Sequence, residues 1–456
     1  MNKDTPKQSV LFPDLSDRDV FVVADDPTTS SDGGALLLHA ADRKLGLIDT
    51  LAKCIDDPRQ QGKVTHPIGA MLRQRIFGIA CGYEDTNDAA RLKGDPVHAM
   101  VAKGTPEGIL ASQPTLCRLE NLVDAAMNDN LLNTFLHRVT TRQSKRKLAC
   151  VKHIVIDLDG TVDPTHGQQE LSLFNGFYRT HCYQALVGFV RFDHEQEQHL
   201  VSATLHAGTG SLVAPALERL FWIITFLRTF CPKARLCVRL DAGFASPEMF
   251  AFFDLHDLDY VVGMPENARL TRLAEPHMIQ ARAHAKARGE TARVYAETMY
   301  QAKTWPEERR VIIKAEVVAH PDREHKDNAR FVVTNLRQSA RHVYTKIYAR
   351  RGDTENRIKE LKRDLSMDRT SCSDFQANRF RVLMTAAAYV LNQEIRCAAR
   401  GTALATAQVG RLRLSLIKVA ARVVASVRRI VVHLPHTFPH HAQWRLIAKR
   451  LGARYT

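Results

Sequence analysis

Paired cysteines, acidic residues in the C-terminal tail, a long uncharged run and tandem repeats are all missing from this chain, and each absence excludes something. Nine cysteines are scattered from Cys54 to Cys397, and no two of them form a C-x-x-C pair, so neither a zinc cluster nor a redox motif is indicated. An odd cysteine count behind a polar N-terminus (MNKDTPKQSV), which has no apolar h-region, predicts a reducing cytoplasm. No stretch is both long and uncharged enough to span a membrane; the nearest, LRLSLIKVAARVVASVRRIVVHL, is interrupted by five basic residues. From Gly401 to the end there is no Asp or Glu at all.

Basic charge is abundant. The 456 residues carry 64 Lys and Arg against 49 Asp and Glu, a formal net charge of +15, which points to a polyanionic partner. The length predicts several structural units. Residues 1–40 read as a flexible segment, with DDPTTSSDGG as its loosest patch. Residues 41–147 read as short amphipathic helices (LGLIDTLAKCI, IGAMLRQRIFGIACGY, QPTLCRLENLVDAAM). Such a bundle fits a DNA-binding helix-turn-helix and a plain helical scaffold equally well. The basic stretch TTRQSKRK leads into the next unit.

The period changes at Val151. VKHIVIDLDGTV, CYQALVGFVRFD and HLVSATLHAG read as three strands, GSLVAPALERLFWIITFLRTF as a helix, RLCVRLDAGF as a fourth strand, PEMFAFFDLHD as a helix and DYVVGM as a fifth strand. That order predicts an α/β fold of the ribonuclease-H-like kind, a mixed sheet flanked by helices over residues 148–400. An inserted β-rich region at about 265–345 contains ARVYAETMY, RRVIIKAEVV and ARFVVTNL. Residues 401–456 read as a basic helical tail.

The closing helix of that core is predicted over Tyr348–Lys362, YARRGDTENRIKELK. Gly352 lets the chain turn into it, Asp353 sits near its positive end, and Ile358, Leu361 and Leu365 form its apolar stripe. Arg351 and Glu355 are four apart and lie on adjacent turns. Three acids then occupy the ends of elements that such a sheet brings together: Asp159 in DLDGT, Asp241 in RLDAGF and Glu355 on the helix. Three carboxylates of this kind hold two Mg²⁺ ions roughly 3.5–4 Å apart for phosphodiester chemistry. Hard oxygen ligands suit Mg²⁺, or Mn²⁺, and not Zn²⁺.

VIDLDGT, DPTHGQQE, RLDAGF and the spacing Tyr348, Arg351, Glu355, Lys362 together resemble the DDE transposases of bacterial insertion sequences, with their Y-R-E-K signature, and are most similar to the insertion-sequence thirteen-eighty group. The resemblance covers roughly residues 40–430. It implies Asp159, Asp241 and Glu355 as catalytic metal ligands, and Tyr348, Arg351 and Lys362 as the other signature positions, at the DNA. It further implies Mg²⁺ dependence, binding to terminal inverted repeats and target DNA, a homodimer on DNA, and a place at the bacterial nucleoid. It also implies that a tryptophan in the insertion stacks on a flipped base, for which Trp305 in KTWPEERR is the candidate; a hydrophobic plug under a loop is the competing reading. Arg428 and Arg429 in the acid-free tail are expected at DNA phosphates.

Two other readings compete. VIDLDGTV also matches the first motif of haloacid-dehalogenase-type phosphatases, with Asp157 as nucleophile and Asp159 as acid/base. That family needs a G-D-x-x-x-D motif, and Gly352-Asp353 is followed by Arg357 where the second Asp belongs. The other reading is a non-catalytic DNA-binding protein derived from a transposase. Asp157, Asp163 and His166 read as strand-end or turn residues.

Overall fold

The computed structural model describes residues 10–12, 15–18, 20–143, 145–193, 195–320 and 323–454. Its centre is a nine-stranded mixed sheet built from β2 (His153–Pro164), β3 (Leu173–Asn175), β4 (Thr180–Phe192), β5 (His199–His206), β6 (Arg235–Leu240), β7 (Asp259–Met264), β8 (Ala292–Tyr300), β9 (Arg309–His320) and β10 (Arg323–Thr334). Runs such as IDLD and ALVGFV are buried on both faces, as strands in the middle of a covered sheet must be. The order is β8-β9-β10-β7-β6-β2-β4, with β3 and β5 both paired to β4. The β2–β4 pair is antiparallel and sets Asp159 opposite Val187. The β2–β6 pair is parallel and sets Asp157 opposite Arg239. β6 and β7 are parallel, and β10 then closes antiparallel on β7. The inserted strands thus widen the main sheet and form no separate layer.

Helices cover both faces: α7 (Val213–Phe230), α8 (Pro247–Leu255), α9 (Ala268–Arg288), α10 (Gly352–Lys359) and α11 (Phe375–Ala398). The Asp374 carboxylate caps α11 by accepting from the Ala377 N–H at 2.7 Å. α11 is buried along nearly its whole length. It lies between β5 and the N-terminal helices α1 (Ala35–Leu45), α3 (Ile68–Cys81) and α6 (Ala125–Thr140). One continuous apolar core runs from these helices through α11 into the sheet. The boundary expected at residue 147 is therefore a change of secondary structure and not a break in packing.

Three expectations are corrected. The segment 1–40 was expected to be flexible; residues 1–9 lie outside the described residues, but Thr29–Ser30 is a strand, β1, and α1 starts at Ala35 with Leu37 and Leu38 fully buried. The tail was expected to be helical, and it is over Val409–Leu412, Arg413–Ile417 and α12 (His441–Arg450), but between them β11 (Ala421–Ala425) pairs with both β12 (Ile430–His433) and β1. Its β-branched run Val423, Val424, Ile430, Val431 and Val432 favours a pleated, half-buried surface over a helix. The stretch around Glu355 is not one uniform helix. The chain passes through a wide turn at Val343–Ile347, a tight turn at Tyr348–Arg351, α10, and a second wide turn at Glu360–Asp364. Gly352 has φ −55° and sits within this run, so it is a helical residue and not the turn into the helix.

Candidate active site

The expected metal ligands come from three elements, and one expectation is corrected: Asp159 lies in the middle of β2, which runs on past it to Pro164, and not at a strand end. Asp159 is on β2 where Arg239 and Leu240 end the neighbouring β6, Asp241 follows Leu240 directly, and Glu355 is on α10. The Arg351 guanidinium lies between them. Its Nη1 is 3.1 Å from Asp159 Oδ2 and 3.6 Å from Glu355 Oε1, and its Nη2 is 3.7 Å from Asp241 Oδ2. One cation thus faces three carboxylates.

Their environments differ. Asp159 is buried, whereas the Asp241 and Glu355 side chains are 38 % and 59 % exposed. Burial, reinforced by the Asp241 and Glu355 charges, outweighs the opposing pull of Arg351 and pushes the Asp159 carboxyl up to about 7. Burial also opposes the charge on Arg351, but Asp159 leads a set of anions that raises its pKa further. A cleft of about 430 Å³ opens beside them, lined by Asp159, Thr161, Glu355, Lys359, Lys362 and Arg363 among others. Lys362 reaches it from the second wide turn; its Nζ donates to the Val162 carbonyl at 2.8 Å and lies 3.4 Å from Asp368. Tyr348 is packed inward, its hydroxyl directly over Gly263 of β7.

Asp157 has a different role from its neighbour two residues on. It is fully buried, and Arg239 donates to both its oxygens, at 2.7 and 2.6 Å. Gln198 Nε2 donates to it at 2.9 Å and also reaches Thr354 Oγ1 of α10 at 3.1 Å. Arg239 Nη1 then donates to the Ile347 carbonyl at 2.7 Å. A buried charge pair therefore ties β2 and β6 to the entrance of the Glu355 helix. This corrects the phosphatase reading: a carboxylate held on both oxygens with no exposure cannot meet a phosphorus atom. Asp163 is buried as well, bonded by Thr370 Oγ1 at 2.8 Å, and burial pushes it up to about 7.

Other candidates lie elsewhere. Trp305 is 5 % exposed, with Phe250 at 4.9 Å and Tyr300 at 5.7 Å between ring centroids. It is a core residue under its loop, as the competing reading had it, and not the stacking surface that the resemblance implies. Arg428 and Arg429 are exposed at the β11–β12 turn, whose strands belong to a separate sheet from the one that carries Asp159. His166 lines a separate polar cleft with Gln169, Asp368 and Arg369. Asp353, expected only at a helix end, pairs with Arg191 at 2.8 Å.

The sequence reading missed Arg239, Gln198, Thr354 and Gly263. A usable signal existed for Arg239: it stands two residues before Asp241, as Asp157 stands two before Asp159, so opposite charges precede both acids on adjacent strands. Gly263 gave no signal. A Cβ there would come within 2.6 Å of Tyr348 Oη and 2.9 Å of the Ala242 nitrogen, so only glycine fits under the site.

Among the described residues, one trio of potential metal ligands has all its ligand atoms within 4.8 Å of one another: Asp32, Cys81 and His98, away from the acids. Lys418 Nζ stands 2.8 Å from Asp32 Oδ1, and His98 Nε2 is 3.0 Å from Oδ2, so this trio is a buried polar junction fixing the tail to the N-terminal helices. No helix among the described residues is long and apolar enough to cross a membrane.

A family model described as transposase DDE domain group 1 matches residues 12–454. No curated protein matches the chain.

Proposed function

The chain belongs to the transposase DDE domain group 1 family, and on that premise we propose that Asp159, Asp241 and Glu355 are its catalytic acids, cutting DNA at terminal inverted repeats and joining the ends to a target. The observation that carries this reading is the Arg351 guanidinium set among those three carboxylates, drawn from the middle of β2, the end of β6 and α10. The strand order β5-β4-β2-β6-β7, with Asp159 on β2 and Asp241 directly after the adjacent β6, also supports the ribonuclease-H-like core that the resemblance implies.

The residues fit a divalent metal. The donors are hard oxygens, and burial with the Asp241 and Glu355 charges, which together push the Asp159 carboxyl up to about 7, is a setting that a bound cation would relieve. Mg²⁺, or Mn²⁺, held by Asp159, Asp241 and Glu355 would activate the attacking oxygen and stabilise the leaving one. The chain's own groups do the rest. Arg351 keeps the acids apart and in place, and on binding DNA its fork is free to turn to a phosphate bidentately. Lys362, Lys359 and Arg363 present cations along the same cleft. The Asp157–Arg239 pair fixes the approach of the Glu355 helix. The insertion-sequence thirteen-eighty grouping, the Y-R-E-K roles of Tyr348, Arg351 and Lys362, a homodimer spanning two DNA ends and a nucleoid location in a bacterial cytoplasm belong to the same proposal.

The test is cleavage of a labelled duplex carrying the flanking repeat, with Mg²⁺ and with EDTA. Cleavage is expected only with the metal, and not for Glu355→Gln, which should still bind. Metal-independent cleavage, or full activity of Glu355→Gln, would remove the assignment.

A further inference from the structure

The nine-stranded sheet ends on β8, and no strand among the described residues pairs with its outer side. The opposite end of the sheet is closed: β5 is buried along nearly its whole length against α6 and α11, and β3 is only three residues long. β8 runs for nine residues in unbroken register with β9, from Ala292 opposite Val317 to Tyr300 opposite Arg309. Both of its faces are covered. α9 packs on Ala292 and Val294, and Tyr344 meets Tyr295 from the other side at 5.8 Å between ring centroids. What stays open is the backbone edge, a row of N–H and C=O groups that accepts a further strand. Edges that remain single are short or bulged, or carry proline or lysine, and ARVYAETMY has none of these features. Its two charges, Arg293 and Glu297, are of opposite sign.

Those charges select the partner. Arg293, Tyr295 and Glu297 lie on one face of the strand, two residues apart. When two copies of β8 run antiparallel about Tyr295, Arg293 of each copy falls opposite Glu297 of the other. Val294 then falls opposite Ala296, and Tyr295 opposite itself. Two reciprocal ion pairs flanking an aromatic pair are favourable cross-strand neighbours. The Arg293 and Glu297 side chains are 51 % and 54 % exposed, and β9 holds each in place: Arg293 Nε donates to Glu316 at 2.6 Å, and Arg310 donates to Glu297. A strand of another protein would need the same charge order, whereas a second copy of this chain supplies it by two-fold symmetry. We propose that β8 is the surface on which two copies of this chain join, edge to edge and antiparallel about Tyr295, into one continuous sheet. This rests on the homodimer of the proposed function and assigns it a surface.

The experiment reads the solution mass of the full chain by sedimentation over a range of concentrations, without DNA or metal. The wild type should approach the mass of two chains. Arg293→Glu or Glu297→Arg alone sets like charges opposite each other at both pairs and should weaken the dimer about tenfold or more. Arg293→Glu combined with Glu297→Arg restores opposite charges between the copies, while the contacts to Glu316 and Arg310 within each chain stay mismatched. Recovery of the dimer in this double variant therefore reports the contact between copies and not the fold. If the charge variants fail to fold, Tyr295→Cys keeps the question open to measurement: under a mild oxidant it should give a covalent two-chain species well beyond the wild-type level, because the two thiols face each other only in this register. A wild type with the mass of one chain at every concentration, single variants with the wild-type mass, a double variant no more dimeric than the singles, or no added crosslink at Tyr295→Cys would overturn the proposal. Failure here with metal-dependent cleavage intact condemns the β8 surface only; a dimer of this kind without metal-dependent cleavage condemns the nuclease reading only.

Discussion

At the scale of single residues, two aspartates on one strand face do opposite work. Asp157 is a structural anion, buried against Arg239 and Gln198. Truncating Arg239 would leave a buried carboxylate without its partner, so Arg239→Ala should lower unfolding free energy by about 3–5 kcal/mol in chemical denaturation. Glu355→Gln, at a side chain more than half exposed, should leave that measurement nearly unchanged. The same variant should lose about a thousandfold or more in cleavage, each factor of ten being ~1.36 kcal/mol of transition-state stabilisation.

Asp159 makes stability depend on pH in a defined direction. Its folded pKa, about 7, lies above the ordinary carboxylate value of 3.8, so between these values the folded chain binds more protons than the unfolded one. Stability from this group is therefore greatest below the lower value and falls as pH rises towards 7. Asp159→Asn should raise the melting temperature more at neutral pH than at pH values near the lower limit, and a thermal melt series in EDTA reads the difference. Gly263 tests the floor of the site: Gly263→Ala would press on Tyr348 and Ala242. It should cost about 1–3 kcal/mol in stability and reduce cleavage by displacing Asp241, which a parallel denaturation and nuclease assay resolves.

At the scale of elements, the run from Val343 to Asp364 shows why a site helix need not be regular. The Ile347 carbonyl is taken by Arg239 from the sheet, and the winding changes on either side of it. Wide turns of this kind occur at functional sites, where they re-aim a side chain. Here the change puts Arg351 and Glu355, four apart, onto the same side as Asp159 and Asp241. Arg351→Lys keeps the charge but loses the planar fork that reaches three acids. Cleavage should fall about tenfold to a hundredfold, the rate equivalent of the ~1.5–3 kcal/mol of one charged hydrogen bond, and a smaller loss would mean that Arg351 acts by charge alone.

At the scale of the whole molecule, the tail's cations divide into two groups. Lys418 is drawn into the body by Asp32 and sits 4.1 Å from the Tyr83 ring centroid, while Arg450 Nη1 donates to the Ala398 carbonyl at 2.8 Å. Lys418 fastens the tail to the N-terminal region, where β11 pairs with β1, and Arg450 fastens it to the end of α11. Arg428 and Arg429 remain outward on the hairpin turn beside Val427, which is fully exposed. Reversing both charges should weaken duplex binding and reduce the salt dependence of log affinity by about 0.9 for each phosphate no longer neutralised. An unchanged slope in a salt titration would make the turn a solubility surface.

The sequence alone determined the strands and helices of the sheet and singled out the three acids that the fold gathers around Arg351. Alternating β-branched runs and apolar stripes are local signals, and they survive without any knowledge of what lies opposite. Other features depended on partners far away in the chain. Trp305 reads the same on the surface or in the core, and only Phe250 and Tyr300 closing over it made it a core residue. Val423 and Val432 sat within a helix-compatible basic stretch until strand pairing with each other, and with Ser30 through Ala421, set the tail as a sheet. Asp157 and Asp159 are near twins in sequence, and only the tertiary structure decided between them. It placed Arg239 across from the first and a cleft with Arg351 beside the second, because a carboxylate enclosed on every side must find a fixed partner while one that lines a cleft can also meet what enters it.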